Sequence, residues 1–548
     1  MFRRSLFLTP LLAFALCLTL APNPAGAQSE ASPAVEEAGP RLVVGIVVDQ
    51  MRYEYLQRYR ELYGEDGFRR LTRQGFSFDN AHFNYFPTYT GPGHASVFTG
   101  ATPSVHGIVG NAWYDRKLGR SMYVVEDTSV SAVGSVGSVG QMSPRNLRAT
   151  TLADEIKSAD PASNVVAVSI KDRGAVIPAG HVGDAAYWYD SDSGRFISSS
   201  WYMDALPDWV ENFNEQGLAR RFSDSTWTLA MPADRYAAAN PDDTPYEGTF
   251  DGEERPVFPH AMGGDPARIR TSPFGNTLVR TLAEHAVTEE NLGADAVTDF
   301  LGVSFSSTDY VGHQFGPRSL ELADTYLKLD REMAALFDFL DRQVGEGNYM
   351  VFFTSDHGVV DVPAELVDRG LPGGSFDREA ALTGLRNHLE ETYGEGDWIE
   401  SYTNQQVYLD RALVAQRGID LESMQRSAAD FLLRYEGVQA TNTAYNFLRR
   451  SYTGGVQAMF QRGFYHDRSG DVFLQLAPGW LDSGYPTGTS HGSPWNYDTH
   501  VPLIFMGPGV PQGATWRKVS ISQLAPTVSA MLGISFPSGS EADVLRFN

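Results

Sequence analysis

The chain has 548 residues, 42% of them hydrophobic, and carries 43 Lys and Arg against 67 Asp and Glu, for a formal net charge of −24. With a single Cys and ordinary numbers of Gly and Pro, this composition excludes a disordered, collagen-like or disulfide-stabilised protein and is typical of a globular one. The acidic charge also argues against a nucleic-acid partner, because the long-range field repels polyanions.

The N-terminus predicts a secretory signal peptide over residues 1–27. Arg3 and Arg4 precede an apolar run at 6–21, and the small residues at 25–27 form a cleavage signature. The alternative is a membrane anchor, which the run disfavours because about 16 residues are fewer than a bilayer span requires. We therefore expect a periplasmic or secreted protein that keeps no stable membrane anchor after cleavage.

Cleavage would also remove the single cysteine, Cys17, and leave the mature chain without thiols. Residues 28–40 are polar and rich in Pro, Ala and Glu, which predicts a flexible linker. The remaining segment, 41–548, is long enough to bury a large core. We expect it to form one catalytic domain with insertions near 180–270 and 360–480.

Strand and helix patterns alternate along this domain. Short runs that are apolar on both faces predict buried parallel strands at 42–48, 164–170, 298–305, 348–354 and 501–506. Helical patterns lie between or beyond them, at 54–74, 151–157, 278–287, 319–342 and 521–532. This alternation predicts an α/β fold with a largely parallel central sheet and helices on both faces.

Polar clusters follow several of the predicted strands, at the edge where open α/β sheets bind ligands. They comprise Asp49, the segment 171–173 (KDR), the pair Asp309 and His313, and the pair Asp356 and His357. A lone strand-end Asp is commonly a helix cap or a turn residue, so the interpretation depends on the whole set.

The set has the composition of a metal centre. Asp309 and His313 are four residues apart, which places both on one face of a helix. Asp356 and His357 precede a Gly that permits a sharp turn, and His491 lies in a similar setting in TSHGSPWN. With Asp49 they make three Asp and three His, enough for two tetrahedral sites of nitrogen and oxygen ligands, which suits Zn²⁺.

A hydroxyl for phosphoryl transfer is available at a Pro- and Gly-rich turn that precedes a helical pattern, in the segment 86–100. Two metals would clamp the attacking and leaving oxygens of such a displacement. Thr88 and Thr90 are both candidates, because a helix N-terminus and a nearby metal favour the alkoxide. The alternative for both residues is a helix-capping role, and His94 in the same segment also fits packing or capping.

In this order, the motifs resemble the alkaline phosphatase superfamily, most nearly the PafA-like bacterial zinc-dependent alkaline phosphatases. The resemblance runs from about residue 41 to 535. The motifs that carry it are DQMR from Asp49, PTYTGPGH around Thr90, TGATPSVHGIVGN up to Asn111, SIKDR with Lys171 and Arg173, STDYVGH with Asp309 and His313, TSDHG with Asp356 and His357, and SHGSPWN with His491.

The resemblance implies an alkaline-phosphatase-like sandwich with inserted cap segments and two Zn²⁺ per chain. One Zn²⁺ would bind Asp309, His313 and His491; the other would bind Asp49, Asp356, His357 and Thr90. Thr90 would be the nucleophile that forms a phosphothreonine intermediate, and Asn111 would donate a hydrogen bond to a phosphoryl oxygen.

In PafA-like enzymes a Lys-x-Arg pair binds the phosphoryl oxygens, and here Lys171 and Arg173 match it. A phosphate monoester gains more from two added cations than a diester, which has one fewer charge. We therefore expect a monomeric phosphomonoesterase acting on small phosphate monoesters. The alternatives are a phosphodiesterase or nucleotide pyrophosphatase with the same metals, and a non-catalytic exported metal-containing binding protein.

Overall fold

The structure is a computed structural model that describes residues 39–482 and 487–548. The predicted signal peptide at 1–27 and most of the predicted linker at 28–40 lie outside the described residues. The described chain forms a ten-stranded sheet covered by helices and a separate four-stranded sheet, which confirms the predicted α/β class. Within those two ranges, no helix combines the length and the apolar character needed to cross a membrane.

The central strands are buried along their whole length. The strands of the two large sheets are, in chain order, β1 (Leu42–Val48), β2 (Phe76–Phe78), β3 (Ala132–Val133), β4 (Val165–Ser169), β5 (Ala185–Asp190), β6 (Arg195–Ser199), β7 (Asp299–Phe305), β8 (Tyr349–Thr354), β9 (Ile399–Thr403), β10 (Gln406–Leu409), β11 (Val438–Thr443), β12 (Val472–Leu476), β13 (Leu503–Met506) and β14 (Gly513–Thr515).

The main sheet has the order β14-β2-β13-β8-β1-β7-β4-β5-β6-β3. Its centre, β8-β1-β7-β4-β5, is parallel throughout. The expectation of a parallel strand at 501–506 is wrong, because β13 runs antiparallel to β8. All four residues of β13 are buried. A run that is apolar on both faces therefore indicates burial but not the direction of the strand.

Helices pack on both faces of this sheet. The principal helices of the described chain are α1 (Tyr55–Arg58), α2 (Phe68–Gln74), α3 (Thr90–Thr99), α4 (Leu152–Ala159), α5 (Asp172–Ala179), α6 (Pro273–Glu289), α7 (Ser307–Phe315), α8 (Leu320–Leu340), α9 (Arg378–Tyr393), α10 (Leu421–Leu432) and α11 (Leu524–Leu532). Of these, α9 and α10 pack with the four-stranded sheet instead. The predicted helices at 151–157, 278–287, 319–342 and 521–532 are thus confirmed, with ends that differ by a few residues.

The side chains of β1 show how the sheet separates two apolar layers. Val44, Ile46 and Val48 pack in the layer that contains α6 and α8. Val43 and Val47 pack in the opposite layer, with α3, α4 and α11. Since alternate residues of a strand point to opposite faces, a strand between two helical layers must be apolar at every position.

The single helix predicted at 54–74 is wrong, because the structure has two short helices, α1 and α2. The carboxylate of Asp330, in α8, accepts hydrogen bonds from the backbone N–H of Gly64 at 2.7 Å and of Phe68 at 2.8 Å. It thereby fixes the turn between them and starts α2. A side chain at Gly67 would collide with Asp330, so the close approach requires glycine. The break is caused by a residue far along the chain.

The stretches predicted as insertions contribute different structures. Part of 180–270 adds β5 and β6 to the main sheet. The stretch 360–480 contains the four-stranded sheet, in the order β9-β10-β12-β11, and α9 and α10, which share a hydrophobic cluster of their own. Whether these stretches are insertions into one catalytic domain stays a prediction.

A buried carboxylate joins the four-stranded sheet to the hairpin formed by Ala112–Asp115 and Arg120–Tyr123. Asp471, just before β12, accepts hydrogen bonds from Arg116 Nη2 and Arg411 Nε, each at 2.8 Å. It also accepts one from the backbone N–H of Leu409 at 2.9 Å. The hairpin begins directly after Asn111, so this contact helps to hold the segment that carries a predicted site residue.

Replacing Asp471 by Asn would keep the shape of the side chain and remove the charge that Arg116 and Arg411 share. We expect the free energy of unfolding to fall by about 2 kcal/mol, the usual contribution of hydrogen bonds to a charged group. Urea denaturation followed by circular dichroism measures this change. Asp467→Asn is the matched control, because the Asp467 side chain is 65% exposed. Equal losses in both variants would contradict the assigned role of Asp471.

Candidate active site

The predicted site residues meet at the carboxyl edge of the parallel strands. Asp49 directly follows β1, Lys171 follows β4, and Asp356 follows β8. Asp309 lies in the first turn of α7, directly after β7. All four side chains are buried. Because neighbouring parallel strands end at the same edge, residues far apart in sequence are brought to one place.

Asp309, His313 and His491 form the first ligand group. One nitrogen or oxygen from each lies within 4.8 Å of the other two. Asp309 Oδ1 is 3.1 Å from His313 Nε2 and 3.6 Å from His491 Nε2. The first two residues are one turn apart in α7, as their spacing predicts, and the third comes from a loop before β13.

Asp49, Asp356 and His357 form the second ligand group by the same distance criterion. His357 Nε2 is 3.4 Å from Asp49 Oδ1 and 3.7 Å from Asp356 Oδ2. The imidazole rings of His357 and His491 stack with their centroids 3.5 Å apart. The two ligand groups therefore adjoin and form one centre.

The three histidines of this centre are oriented in the same way. In each, Nδ1 donates a hydrogen bond to a backbone carbonyl at 2.8 Å, and a carbonyl can only accept, so Nδ1 carries the proton and Nε2 keeps its lone pair. The pairs are His313 with Thr489, His491 with Thr88, and His357 with Gly358. Burial lowers the pKa of His357 and of His491, which favours the neutral, ligating form.

The buried carboxylates of the centre have too few hydrogen-bond donors around them to satisfy all of their oxygens. Asp49 Oδ1 and Asp356 Oδ2 accept no hydrogen bond from any described residue. Burial and repulsion from Asp309 and Asp356 raise the pKa of Asp49 well above its usual range. A buried carboxylate oxygen without a donor is costly, and a divalent cation satisfies it. The donor set, three imidazole nitrogens and three carboxylates, fits two ions of the Zn²⁺ type.

Lys171 lies between the two ligand groups. Its Nζ is 2.7 Å from Asp49 Oδ2 and 2.5 Å from Asp309 Oδ2. Burial alone would lower the pKa of Lys171, but the two carboxylates raise it above its usual range, so the side chain is an ammonium. The predicted substrate-binding lysine is thus in direct contact with the predicted metal ligands.

Thr90 is the first residue of the ten-residue helix α3 and is buried beside the second ligand group. Its Oγ1 lies 3.4 Å from His357 Nε2. A Cβ on Gly93, one turn later, would collide with the backbone carbonyl of Asp356. The glycine therefore lets the start of α3 pack directly against the strand end that carries this ligand group. Thr88, the other candidate hydroxyl, donates instead to the carbonyl of Ser493 at 2.9 Å.

Asn111 is bound to the helix that Thr90 begins. Its Oδ1 accepts a hydrogen bond from the backbone N–H of Gly91 at 2.7 Å. This fixes the amide so that the oxygen faces the helix, and the Nδ2 donors are left for another acceptor. A residue 21 positions downstream of Thr90 in sequence is therefore its neighbour in space.

A tyrosine orients Arg173. The Tyr123 hydroxyl donates to Asp172 Oδ1 at 2.6 Å and accepts from Arg173 Nη1 at 2.9 Å. Arg173 Nε is buried, with no partner among residues 39–482 and 487–548. Tyr123 carries no sequence motif, and only the pairing of its hairpin brings it to the Lys-Asp-Arg segment.

Two further residues contact the carboxylates of the centre. Gln50 Nε2 donates to Asp309 Oδ1 at 2.7 Å, from a backbone with φ of 64°. His94 Nδ1 lies 3.2 Å from Asp356 Oδ2 and 3.0 Å from the carbonyl oxygen of Thr90. The position of Gln50 directly after Asp49 was the only sequence signal for its role, and His94 had none beyond its place in the threonine segment.

Comparisons with known proteins show which family and which relatives the whole chain resembles. Residues 43–501 match the model of the type I phosphodiesterase / nucleotide pyrophosphatase family. The chain is 41% identical to alkaline phosphatase PhoV of Synechococcus elongatus, over 97% of this chain and 98% of that protein. It is 40% identical to alkaline phosphatase PafA of Elizabethkingia meningoseptica, over 91% and 93% of the two chains. The crystal structure of wild-type PafA superposes with a TM-score of 0.89 at 39% identity, covering 92% of this chain and 98% of that one.

We expect the substitution of Asp49 to change the melting temperature in opposite directions in the absence and in the presence of metal. A carboxyl whose pKa rises on folding opposes folding at pH values above its unfolded pKa of about 3.9. At neutral pH, Asp49→Asn should therefore raise the melting temperature of chelator-treated protein. It should lower the melting temperature and the bound metal of protein saturated with Zn²⁺, because one ligand is lost.

Differential scanning calorimetry and elemental analysis measure the two effects. Asp172→Asn is the control, since Asp172 belongs to neither ligand group and its substitution should leave the metal content unchanged. An Asp49→Asn protein that is less stable than the parent both with and without metal would show that carboxylate repulsion does not govern this centre.

Proposed function

The chain belongs to the type I phosphodiesterase / nucleotide pyrophosphatase family, and we propose that it is an alkaline phosphatase that hydrolyses small phosphate monoesters and releases inorganic phosphate. The observation that carries the proposal is the position of the Thr90 hydroxyl, at a helix N-terminus and 3.4 Å from a ligand nitrogen of the second group. A nucleophile, two cation-binding groups and a buried ammonium within one centre are the parts that phosphoryl transfer needs.

We assign the centre two Zn²⁺ ions, one held by Asp309, His313 and His491 and one by Asp49, Asp356, His357 and Thr90. When bound, the ions would favour the ionised form of the threonine hydroxyl and stabilise charge on the phosphoryl group and the leaving oxygen. The orphaned oxygens of Asp49 and Asp356 and the common orientation of the three histidines support this assignment.

Thr90 then acts as the nucleophile. Its hydroxyl gives up its proton to water, and Oγ forms a bond to phosphorus as the bond from phosphorus to the ester oxygen breaks. The departing alkoxide takes up a proton from water. Water next attacks the phosphothreonine, which restores the Thr90 hydroxyl and frees inorganic phosphate. The dipole of α3 supports the ionised oxygen at its N-terminus.

Lys171, Arg173 and Asn111 would bind the phosphoryl oxygens that do not react. The unsatisfied Nε of Arg173 and the remaining donors of Asn111 are free for such acceptors in the described chain. A monoester offers three of these oxygens and nearly two charges, so it uses both cations. A diester has one fewer charge, which is why we favour monoesterase activity over the phosphodiesterase alternative.

The proposal also includes the location and the oligomeric state of the protein. We infer that the protein is exported, to the periplasm or outside the cell, and acts there as a monomer without a membrane anchor. The net charge of −24 disfavours polyanionic partners, whereas the centre itself would be locally positive once two divalent cations, Lys171 and Arg173 face the three carboxylates.

Thr90→Ala tests the nucleophile. We expect turnover of p-nitrophenyl phosphate to fall by about three orders of magnitude or more, with metal retained, because the attacking atom is gone. Thr90→Ser keeps a hydroxyl and should retain part of the activity. Thr88→Ala is the matched control, since that hydroxyl bonds a carbonyl outside the two ligand groups. A Thr90→Ala protein as active as the parent would favour the alternative of a non-catalytic metal-containing binding protein.

Lys171 and Arg173 should set the preference for monoesters. We expect the parent to hydrolyse p-nitrophenyl phosphate faster than bis-p-nitrophenyl phosphate. A Lys171→Ala/Arg173→Ala variant should lose on the order of tenfold or more additional activity on the monoester, because the diester uses less of the cationic site. Metal analysis of the same samples separates this effect from metal loss. Faster diester cleavage by the parent would favour the phosphodiesterase instead.

A further inference from the structure

A third cationic side chain lies next to the centre and belongs to none of its motifs. Tyr310 follows Asp309 directly in α7, and its ring centroid is 4.9 Å from Lys171 Nζ. The guanidinium carbon of Arg270 lies over the same ring, 5.2 Å from its centroid. One aromatic ring therefore contacts both the lysine of the proposed phosphoryl site and an arginine from the stretch 180–270.

Arg270 is only half-buried and makes no ion pair with any acid in the described parts of the chain. Its neighbour Arg268, in contrast, bonds the carbonyl oxygens of Ala261 and Asp251. In a protein with 67 acidic residues, an arginine next to the active centre without a carboxylate partner is unusual. Contact with an aromatic face keeps the charge and leaves its N–H donors available to an anion from solution.

The segment that carries Arg270 is held in place. It is a 3₁₀ helix over Pro266–Thr271, whose N-terminus is capped by the Asp265 carboxylate accepting from Ala267 N–H at 2.8 Å. The hydroxyl of Tyr189, in β5, donates to the carbonyl of Pro266 at 3.1 Å, and Ile269 is fully buried. The backbone that carries the Arg270 side chain is therefore held in a fixed position.

The helix that follows, α6, packs against α7 and holds the 3₁₀ helix beside it. Asn276 Oδ1, in α6, accepts a hydrogen bond from the N–H of Ser307 at 3.3 Å. A side chain at Gly275 would collide with the Ser307 hydroxyl, so the two elements are in direct contact. Because Ser307 begins the helix that also carries Asp309 and Tyr310, Arg270 keeps its position relative to the centre.

We propose that Arg270 binds a second anionic group, a carboxylate or a phosphate, carried by the leaving alcohol of the substrate. This inference rests on the proposed phosphatase function and extends it to substrate choice. Phosphate esters with a second anionic group would bind more tightly than neutral ones, since a guanidinium pairs with either anion through two hydrogen bonds. Lys171 and Arg173 serve the phosphoryl group itself, whereas Arg270 serves the group that leaves.

The test compares 4-carboxyphenyl phosphate with its neutral analogue 4-carbamoylphenyl phosphate. In Arg270→Ala, kcat/KM for the carboxylate should fall about tenfold relative to the parent, mainly through KM, as expected for one partly screened charge pair. The amide should change less than about twofold. Taking the ratio of variant to parent for each substrate cancels the difference in leaving-group reactivity. Arg270→Lys keeps the charge and should retain part of the preference.

Arg221→Ala removes an exposed charge elsewhere in the same stretch and should leave both substrates unaffected. If Arg270→Ala does not fold, Arg270→Gln and Arg270→Lys provide the comparison between neutral and charged side chains. Equal losses on both substrates, or no loss on either, would overturn the role of Arg270. A parent that hydrolyses neither substrate would contradict the proposed phosphatase function, a result that is distinct from loss of the preference.

Discussion

The arrangement of the centre depends on holding three buried carboxylates together. Asp49, Asp309 and Asp356 are removed from water at one edge of the sheet, where their mutual repulsion must be offset. Lys171 offsets part of it by contacting two of them, and the remaining oxygens require cations or donors. The positive helix terminus at Thr90 faces the same centre. The parallel strands, the helix N-terminus and the buried lysine all serve this single electrostatic requirement.

Local patterns predicted much of the fold because burial leaves a strong local signal. The strands at the centre of the sheet are apolar at every position, and α8 follows a long helical pattern. The predictions that were wrong concern features that are set by contacts between residues far apart in the sequence. The direction of β13 is set by the route of the chain before it, and the break between α1 and α2 is set by Asp330. Neither contact leaves a pattern in the segment it controls.

The sequence alone indicated the candidate ligands and the candidate nucleophile, but not the residues that surround them. Metal-type ligands and a nucleophile are restricted to a few residue types at fixed spacings, so their motifs stand out in the sequence. Gln50 bonds Asp309, His94 bonds the carbonyl oxygen of Thr90, and Tyr123 bonds the Lys-Asp-Arg segment. Many side chains could make hydrogen bonds of this kind. Arg270 lies beside Tyr310 because a 3₁₀ helix packs on α7. Supporting residues of this kind become visible only in three dimensions.

The two ligand groups span different segments of the chain, so all members of one group are synthesised before the last member of the other. Asp49, Asp356 and His357 are all present once synthesis has passed β8, and β1 can pair with that strand as soon as it emerges. The other group lacks a member until His491 has been made, close to the C-terminus. A chain that stops short of this point offers one complete ligand group and two of the three members of the other. Binding of both proposed ions would therefore require a chain that is synthesised at least as far as His491.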